Sequence, residues 1–169
     1  MPHRSQTIIR RAGLEDLPAL PEVERSAAVA FRATVHAWVA EDAVTPEEAY
    51  PPLVFAGCLW VAERGGRIVG FVSAQAATDA LHILELAVAL PEQRRGIGRR
   101  LVETTVQAAR AWGLPAVTLT TFRDVVFNAP FYRALGFDVV EAPPPRLQAI
   151  LSAEKLRGLE QRCAMRRTL

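Results

Sequence analysis

The apolar residues change period between residues 81 and 112, and that change fixes the centre of any fold this chain can adopt. LHILELAVA, residues 81–89, is a nearly continuous apolar run, the pattern of a central strand covered on both faces. From Ile97 to Trp112 the spacing becomes helical. Ile97, Leu101, Thr105, Ala108 and Trp112 make one stripe, and Val102, Val106 and Ala109 widen it. Gly113 and Pro115 stop the helix.

The flanking segments supply a sheet around that strand. TIIRRA (7–12) reads as a first strand. Asp16 and Pro18 open a helical stretch with Leu14, Leu17, Leu20, Val23, Ala27 and Ala30 at helix spacing. In TPEEAYPPLVFAG, Thr45 is placed as a helix cap, Pro46 at the first helical position and Glu48 three residues after the cap. CLWVAE and RIVGFVSAQ flank Arg64-Gly65-Gly66, which predicts a hairpin. AVTLTTF (116–122) is the next strand, NAPFYRAL a short helix ended by Gly136, and FDVVE a strand. After the stiff Pro143-Pro144-Pro145 spacer come the helix RLQAILSAEKLRGLE and the strand RCAMRRT. The expected fold is α/β (α+β): a mixed, mostly antiparallel sheet of about seven strands with helices on both faces. With 169 residues, one domain over 1–169 is expected.

Composition excludes more than it assigns. An apolar share of 50% and a charged share of 22% suit an ordinary globular protein. A net charge of +2 gives no global argument for nucleic acid, but basic residues cluster, and a local patch attracts anions whatever the total. Arg94, Arg95, Arg99 and Arg100 form one cluster. Arg157, Arg162, Arg166 and Arg167 form another, read as solvated helix faces. Cys58 and Cys163 fit no metal spacing and no disulfide framework. The N-terminal MPHRSQTIIRR lacks the apolar core of a signal peptide, and no run approaches a membrane span. The expectation is a cytoplasmic protein with no metal, no membrane and no nucleic-acid partner.

The turn QRRGIG, between the central strand and its helix, admits three readings. A dinucleotide fingerprint needs a third glycine where Leu101 stands. A P-loop needs Gly-Lys-Ser/Thr, which is absent. The third reading is a shorter phosphate cradle. Glycines leave main-chain N–H groups uncovered, and the first four N–H groups of a helix have no partner within it. The helix dipole adds roughly half a positive charge there. A pyrophosphate suits such a site by hydrogen bonding and by charge.

Residues 81–141 resemble the Gcn5-related N-acetyltransferase (GNAT) superfamily. LAVALPEQRRGIGRRLVETTV is similar to its acetyl-coenzyme A signature, and NAPFYRALGF (128–137) to its second signature. The likeness implies a central strand pair splayed apart, with acetyl-CoA as co-substrate. It implies that the amides of Arg94, Arg95, Gly96, Ile97, Gly98 and Arg99 hold the pyrophosphate, with Gln93 opening the cradle. Arg94, Arg95 and Arg99 are candidates for the remaining phosphate charge. It lays the pantetheine arm along residues 86–89, where an amide of Leu86, Ala87 or Val88 polarises the thioester carbonyl. Tyr132 would stand near the cofactor sulfur and protonate the departing thiolate; a phenol with a pKa of ~10 is suited to that. Asn128 is a further candidate contact. Family members often carry asparagine where this chain has Val125.

The acceptor amine must lose a proton before attack. For a lysine amine with pKa ~10.4 the free base costs about 4–5 kcal/mol at pH 7, and for an α-amine near ~8 about 1. His82 and Glu85, on the central strand, are the two candidates for a general base. His82 matches positions where histone and arylalkylamine acetyltransferases carry a catalytic Glu or His. Glu85 faces away from His82 by the period of two, and is either a base working through water or an anchor for a neighbouring loop. His36 and Trp38, in the unassigned segment 32–44, are the candidate acceptor contacts, beside Glu41 and Asp42. The acceptor is expected to be a primary amine of a small molecule or of a protein. TTFRDVVFNAPFY resembles bacterial family members of undefined substrate, and family members often form homodimers. The alternative is a catalytically idle acetyl-CoA-binding sensor or interaction module.

Overall fold

A computed structural model describes residues 6–169; the first five residues of the N-terminal stretch discussed above lie outside it. Seven strands make one sheet in the order β1-β2-β3-β4-β5-β7-β6. They are β1 (Ile8–Arg11), β2 (Leu59–Arg64), β3 (Arg67–Ala76), β4 (Leu81–Val88), β5 (Ala116–Phe122), β6 (Asp138–Val139) and β7 (Arg162–Thr168). The helices are α1 (Leu20–Ala28), α2 (Pro51–Phe55), α3 (Ile97–Ala111), α4 (Ala129–Ala134) and α5 (Pro145–Leu156). The mixed, mostly antiparallel sheet follows the expected order of elements. Among the described residues no helix is long and apolar enough to cross a membrane.

The chain divides into two compact units. The first runs to Gln75 and includes Leu84–Gln107. Here β1, β2 and β3 form an antiparallel meander, closed at Gly65 and Gly66, whose φ angles of 57° and 74° suit the tight hairpin. Leu17, Leu20 and Val23 pack with Leu59, Val61, Phe71 and Ala87, and the Tyr50 ring meets Phe71 edge-on at 5.7 Å. Gly70 allows β3 and β4 their close approach, since a Cβ there would sit 3.0 Å from the Ala87 carbonyl oxygen.

The second unit comprises Ala76–Ile83 and Ala108–Leu169. β5 and β7 pair antiparallel from Ala116↔Thr168 to Phe122↔Arg162, and β6 adds two residues to β7. β4 and β5 run parallel and are paired at Leu81↔Val117 and His82↔Thr118. Their ladder ends there although β5 continues to Phe122.

Three local expectations are corrected. The segment after Thr45 holds a 3₁₀ turn at Glu47–Ala49 and then α2, because the Thr45 amide and hydroxyl bond to Glu24 instead of capping a helix. Leu84 is 47% exposed, so β4 is not covered on both faces along its whole length. The C-terminal arginines are not all on solvated helix faces: Arg162, Arg166 and Arg167 lie on β7, where Arg162 binds Glu154 at 3.0 Å and stacks 4.7 Å over Phe122.

Candidate active site

In the first unit, the chain leaves β4 through a short 3₁₀ turn at Leu90–Glu92 and enters α3 at Ile97. Arg94 has φ 61° and Gly96 φ 78°. The left-handed conformation costs a non-glycine residue roughly 1–2 kcal/mol, so Arg94 is held there by its surroundings. Those surroundings are well tied. The Gln93 side chain donates to the Val88 carbonyl at 2.9 Å, Ser26 accepts the Leu90 N–H at 3.0 Å, and Glu92 pairs with Arg64 at 2.6 Å. The Gln93 side chain is thus a brace for the turn, and its N–H donates to the Leu90 carbonyl at 3.3 Å, so the bare donors begin at Arg94 and the expectation that Gln93 opens the cradle is corrected.

The turn itself is open. Among the described residues none accepts a hydrogen bond from the N–H groups of Arg94, Arg95, Gly96, Ile97, Gly98 or Arg99; the next amide, Arg100, bonds to Gly96 O at 3.1 Å. A Cβ on Gly96 would meet no atom within 4 Å. Arg94, Arg95 and Arg99 are exposed. A run of bare donors and a helix N-terminus thus lie beside three exposed cations, a combination that favours an anion.

The same unit gathers negative charge around Tyr50. The Glu24 carboxylate accepts the Thr45 N–H at 3.1 Å and the Tyr50 hydroxyl at 3.3 Å. Burial raises the Glu24 pKa above its ordinary value, and burial, then Glu24 and Glu85, raise that of Tyr50. Glu85 thus lies on the Tyr50 side of β4 and is half-buried, as are Leu86 and Val88, whereas Ala87 is buried. His36 and Trp38 separate: His36 is buried, while Trp38 is 42% exposed. Glu41 is engaged by Arg32 at 2.8 Å. Nothing in the periodicity pointed to Glu24, which sits in an ordinary helical pattern.

In the second unit, Tyr132 is buried on α4, its ring edge-on to Phe131 at 5.0 Å and to Phe137 at 5.8 Å. Asn128 caps α4 through its main chain, its carbonyl accepting the Tyr132 N–H at 3.0 Å. Val125 is buried. His82 Nδ1 is 2.9 Å from the Thr118 hydroxyl, which also accepts from Arg146 at 3.3 Å. Burial, then the Arg146 charge, lower the His82 pKa to about 4. Sequence reasoning missed Thr118, Arg146 and Asp79, which are brought together from distant segments. Among the described residues no group of three or more His, Cys, Asp or Glu is placed to hold a metal ion.

The chain as a whole is similar to known proteins. The family model described as "Acetyltransferase (GNAT) family" matches residues 24–137. "N-acetyltransferase family 8 member 3" of Mus musculus is 35% identical over 86 residues, covering 47% of this chain and 38% of that protein. "Probable N-acetyltransferase camello" of Xenopus laevis is 37% identical over 92 residues, covering 52% and 42%. The alignments thus span about two fifths of these relatives' length. Among solved structures, PaiA N-acetyltransferase from Thermoplasma acidophilum, in complex with coenzyme A, superposes with a TM-score of 0.74 at 17% identity, covering 97% of this chain and 99% of that one. The ribosomal-protein-S18-alanine N-acetyltransferase from Escherichia coli gives a TM-score of 0.67 at 20% identity, covering 96% and 94%. At these identities the structures speak for the fold, and the family model speaks for descent: this chain belongs to the GNAT acetyltransferase family.

Proposed function

We propose that the protein binds acetyl-CoA and transfers its acetyl group to a primary amine, of a small molecule or of a protein, by direct attack within a ternary complex. The observation that carries this reading is the run of unpaired main-chain donors from Arg94 to Arg99 around the left-handed Gly96. Such a run suits a diphosphate. Acetyl-CoA brings an activated thioester. The protein's own part is to hold it, orient it and manage protons.

The amides from Arg94 to Arg99 bind the pyrophosphate, with Arg94, Arg95 and Arg99 as surrounding cations. A main-chain N–H of Leu86, Ala87 or Val88 donates to the thioester oxygen and stabilises the charge that develops there. Glu24 and Glu85 set a negative field around Tyr50, which favours an acceptor arriving as ammonium. Of the two base candidates, Glu85 takes the ammonium proton, directly or through one water. The amine nitrogen forms its bond to the acetyl carbon as the C–S bond breaks, the Tyr132 hydroxyl gives its proton to the thiolate, and the second amine proton, released as the amide forms, passes through solvent to restore the tyrosine. Trp38 borders the acceptor's path.

Release of free CoA thiol from acetyl-CoA with a panel of amines tests the reading. Tyr132→Phe keeps the ring contacts to Phe131 and Phe137 and removes the proton donor, and kcat is expected to fall by about 10²–10⁴. Absence of turnover on every amine, together with no calorimetric signal for acetyl-CoA, would overturn the proposal. The buried Val125, where relatives often carry asparagine, favours one second reading: an idle acetyl-CoA sensor. That reading predicts tight binding without turnover.

A further inference from the structure

His82 sits at the end of an ordered row of polar groups, and the row fixes where its proton is. Thr118 is fully buried, with 0% exposure. Its hydroxyl has two side-chain neighbours, Arg146 Nη2 at 3.3 Å and His82 Nδ1 at 2.9 Å. A guanidinium has donors only, so Arg146 donates and Thr118 Oγ1 accepts. The hydroxyl hydrogen is then left with one acceptor, His82 Nδ1. Were Nδ1 protonated, that hydrogen would be buried with no partner, at a cost of about 1–3 kcal/mol. The neutral ring therefore carries its proton on Nε2.

The rest of the row is anchored. Arg146 binds Asp79 through Nε at 3.1 Å and Nη2 at 3.2 Å, and Arg166 approaches the same carboxylate at 3.8 Å. His82 Nε2 has no hydrogen-bond partner among the described residues. Yet no buried side-chain nitrogen or oxygen among them lacks one. Nε2 therefore meets solvent, although the residue as a whole is only 6% exposed. The ring is held at one nitrogen and offers an N–H at the other.

We propose that His82 is a hydrogen-bond donor through Nε2–H, directed at an oxygen of the bound reactants, and that Thr118 and Arg146 are positioning residues that fix its tautomer. The charges acting on the ring agree. Arg146 and burial oppose a positive imidazole, Glu154 and Asp79 favour it, and the balance holds the pKa near 4. With Nδ1 accepting from the Thr118 hydroxyl and Nε2 protonated, the neutral ring has no free lone pair with which to take an amine's proton. The target of the donor rests on the transfer reaction proposed above; the tautomer does not. That target is either the acetyl carbonyl oxygen or an oxygen of the acceptor.

Two measurements test the proposal. The full chain, labelled with ¹⁵N-histidine, is examined by long-range ¹H–¹⁵N correlation, with the His82 signals assigned by their loss in His82→Gln. At pH 7 the pattern of an Nε2–H ring is expected, with no protonation between pH 7 and pH 5.5. An Nδ1–H pattern, or a titration midpoint near ~6.5, would overturn the proposal. Thr118→Val should then shift the ring toward a mixture of tautomers. In turnover assays, His82→Gln, which keeps an N–H donor, should retain activity to within about tenfold, and His82→Ala should lose at least about 100-fold. Equal losses would point to a base and overturn the donor role. A loss in kcat identifies the acetyl carbonyl as target, and a rise in acceptor KM identifies the acceptor's oxygen. No turnover at all would remove the target along with the proposed reaction, while the nuclear magnetic resonance readout would still decide the tautomer.

Discussion

Replacing Gly96 by alanine separates what the fold needs from what the ligand needs. Gly96 has φ 78°, where an L-residue costs roughly 1–2 kcal/mol. The new Cβ touches nothing within 4 Å, so no clash adds to that cost in the free protein. For a chain of this length about 1 kcal/mol lowers Tm by roughly 2–4 °C, and the variant is expected to fold. The methyl would stand among the unpaired donors of the cradle. A hydrogen bond to a charged group contributes about 1.5–3 kcal/mol, so losing one weakens CoA binding roughly 10- to 100-fold. Gly113 is the control. It has φ 71°, and a Cβ there also meets nothing within 4 Å, but it lies past the C-terminal end of α3. Differential scanning fluorimetry and isothermal titration calorimetry on both variants give the two readouts. Equal Tm losses with an affinity loss confined to Gly96→Ala support the cradle. Equal affinities in the two variants would refute it.

Two further outcomes follow from particular contacts. Burial raises the Glu24 pKa above its ordinary 4.5, so the folded state binds more protons than the unfolded state as pH climbs from that value through the folded pKa. Stability contributed by this group therefore falls as pH rises across that window. Glu24→Gln removes the slope, and Tm measured from pH 4.5 to 7 should show the wild type losing ground to the variant; a pH-independent difference would contradict this. Gly70→Ala places a Cβ 3.0 Å from the Ala87 carbonyl oxygen and 3.3 Å from Val88 Cγ2. Backbone yields little, so urea denaturation should show a loss of about 1–3 kcal/mol; an unchanged midpoint would argue against the close approach of β3 and β4.

What the sequence made legible was local. The switch from the apolar run 81–89 to the helical stripe after Ile97 located β4, the turn and α3 because both periods are written in neighbouring residues. The glycine turn was readable for the same reason. Thr45 misled because its hydroxyl and amide are taken by Glu24, 21 residues earlier, and no local pattern reports such a partner. The row ending at His82 was invisible because Asp79 and Arg146 lie 67 residues apart. His82 alone suggests a base near neutrality, and only its neighbours show that Nδ1 is occupied. The β7 arginines likewise read as surface charge until the partners Glu154, Phe122 and Asp79 are known.

The central claim is that the entrance to α3 receives a diphosphate on bare main-chain donors. Its most direct test is a backbone ¹H–¹⁵N titration of the protein with coenzyme A. The amides from Arg94 to Arg99 should show the largest downfield shifts and saturate together, while that of Arg100, already bonded to Gly96 O, should move less. Binding that left the Arg94–Arg99 amides in place, or no binding at millimolar coenzyme A, would contradict the account.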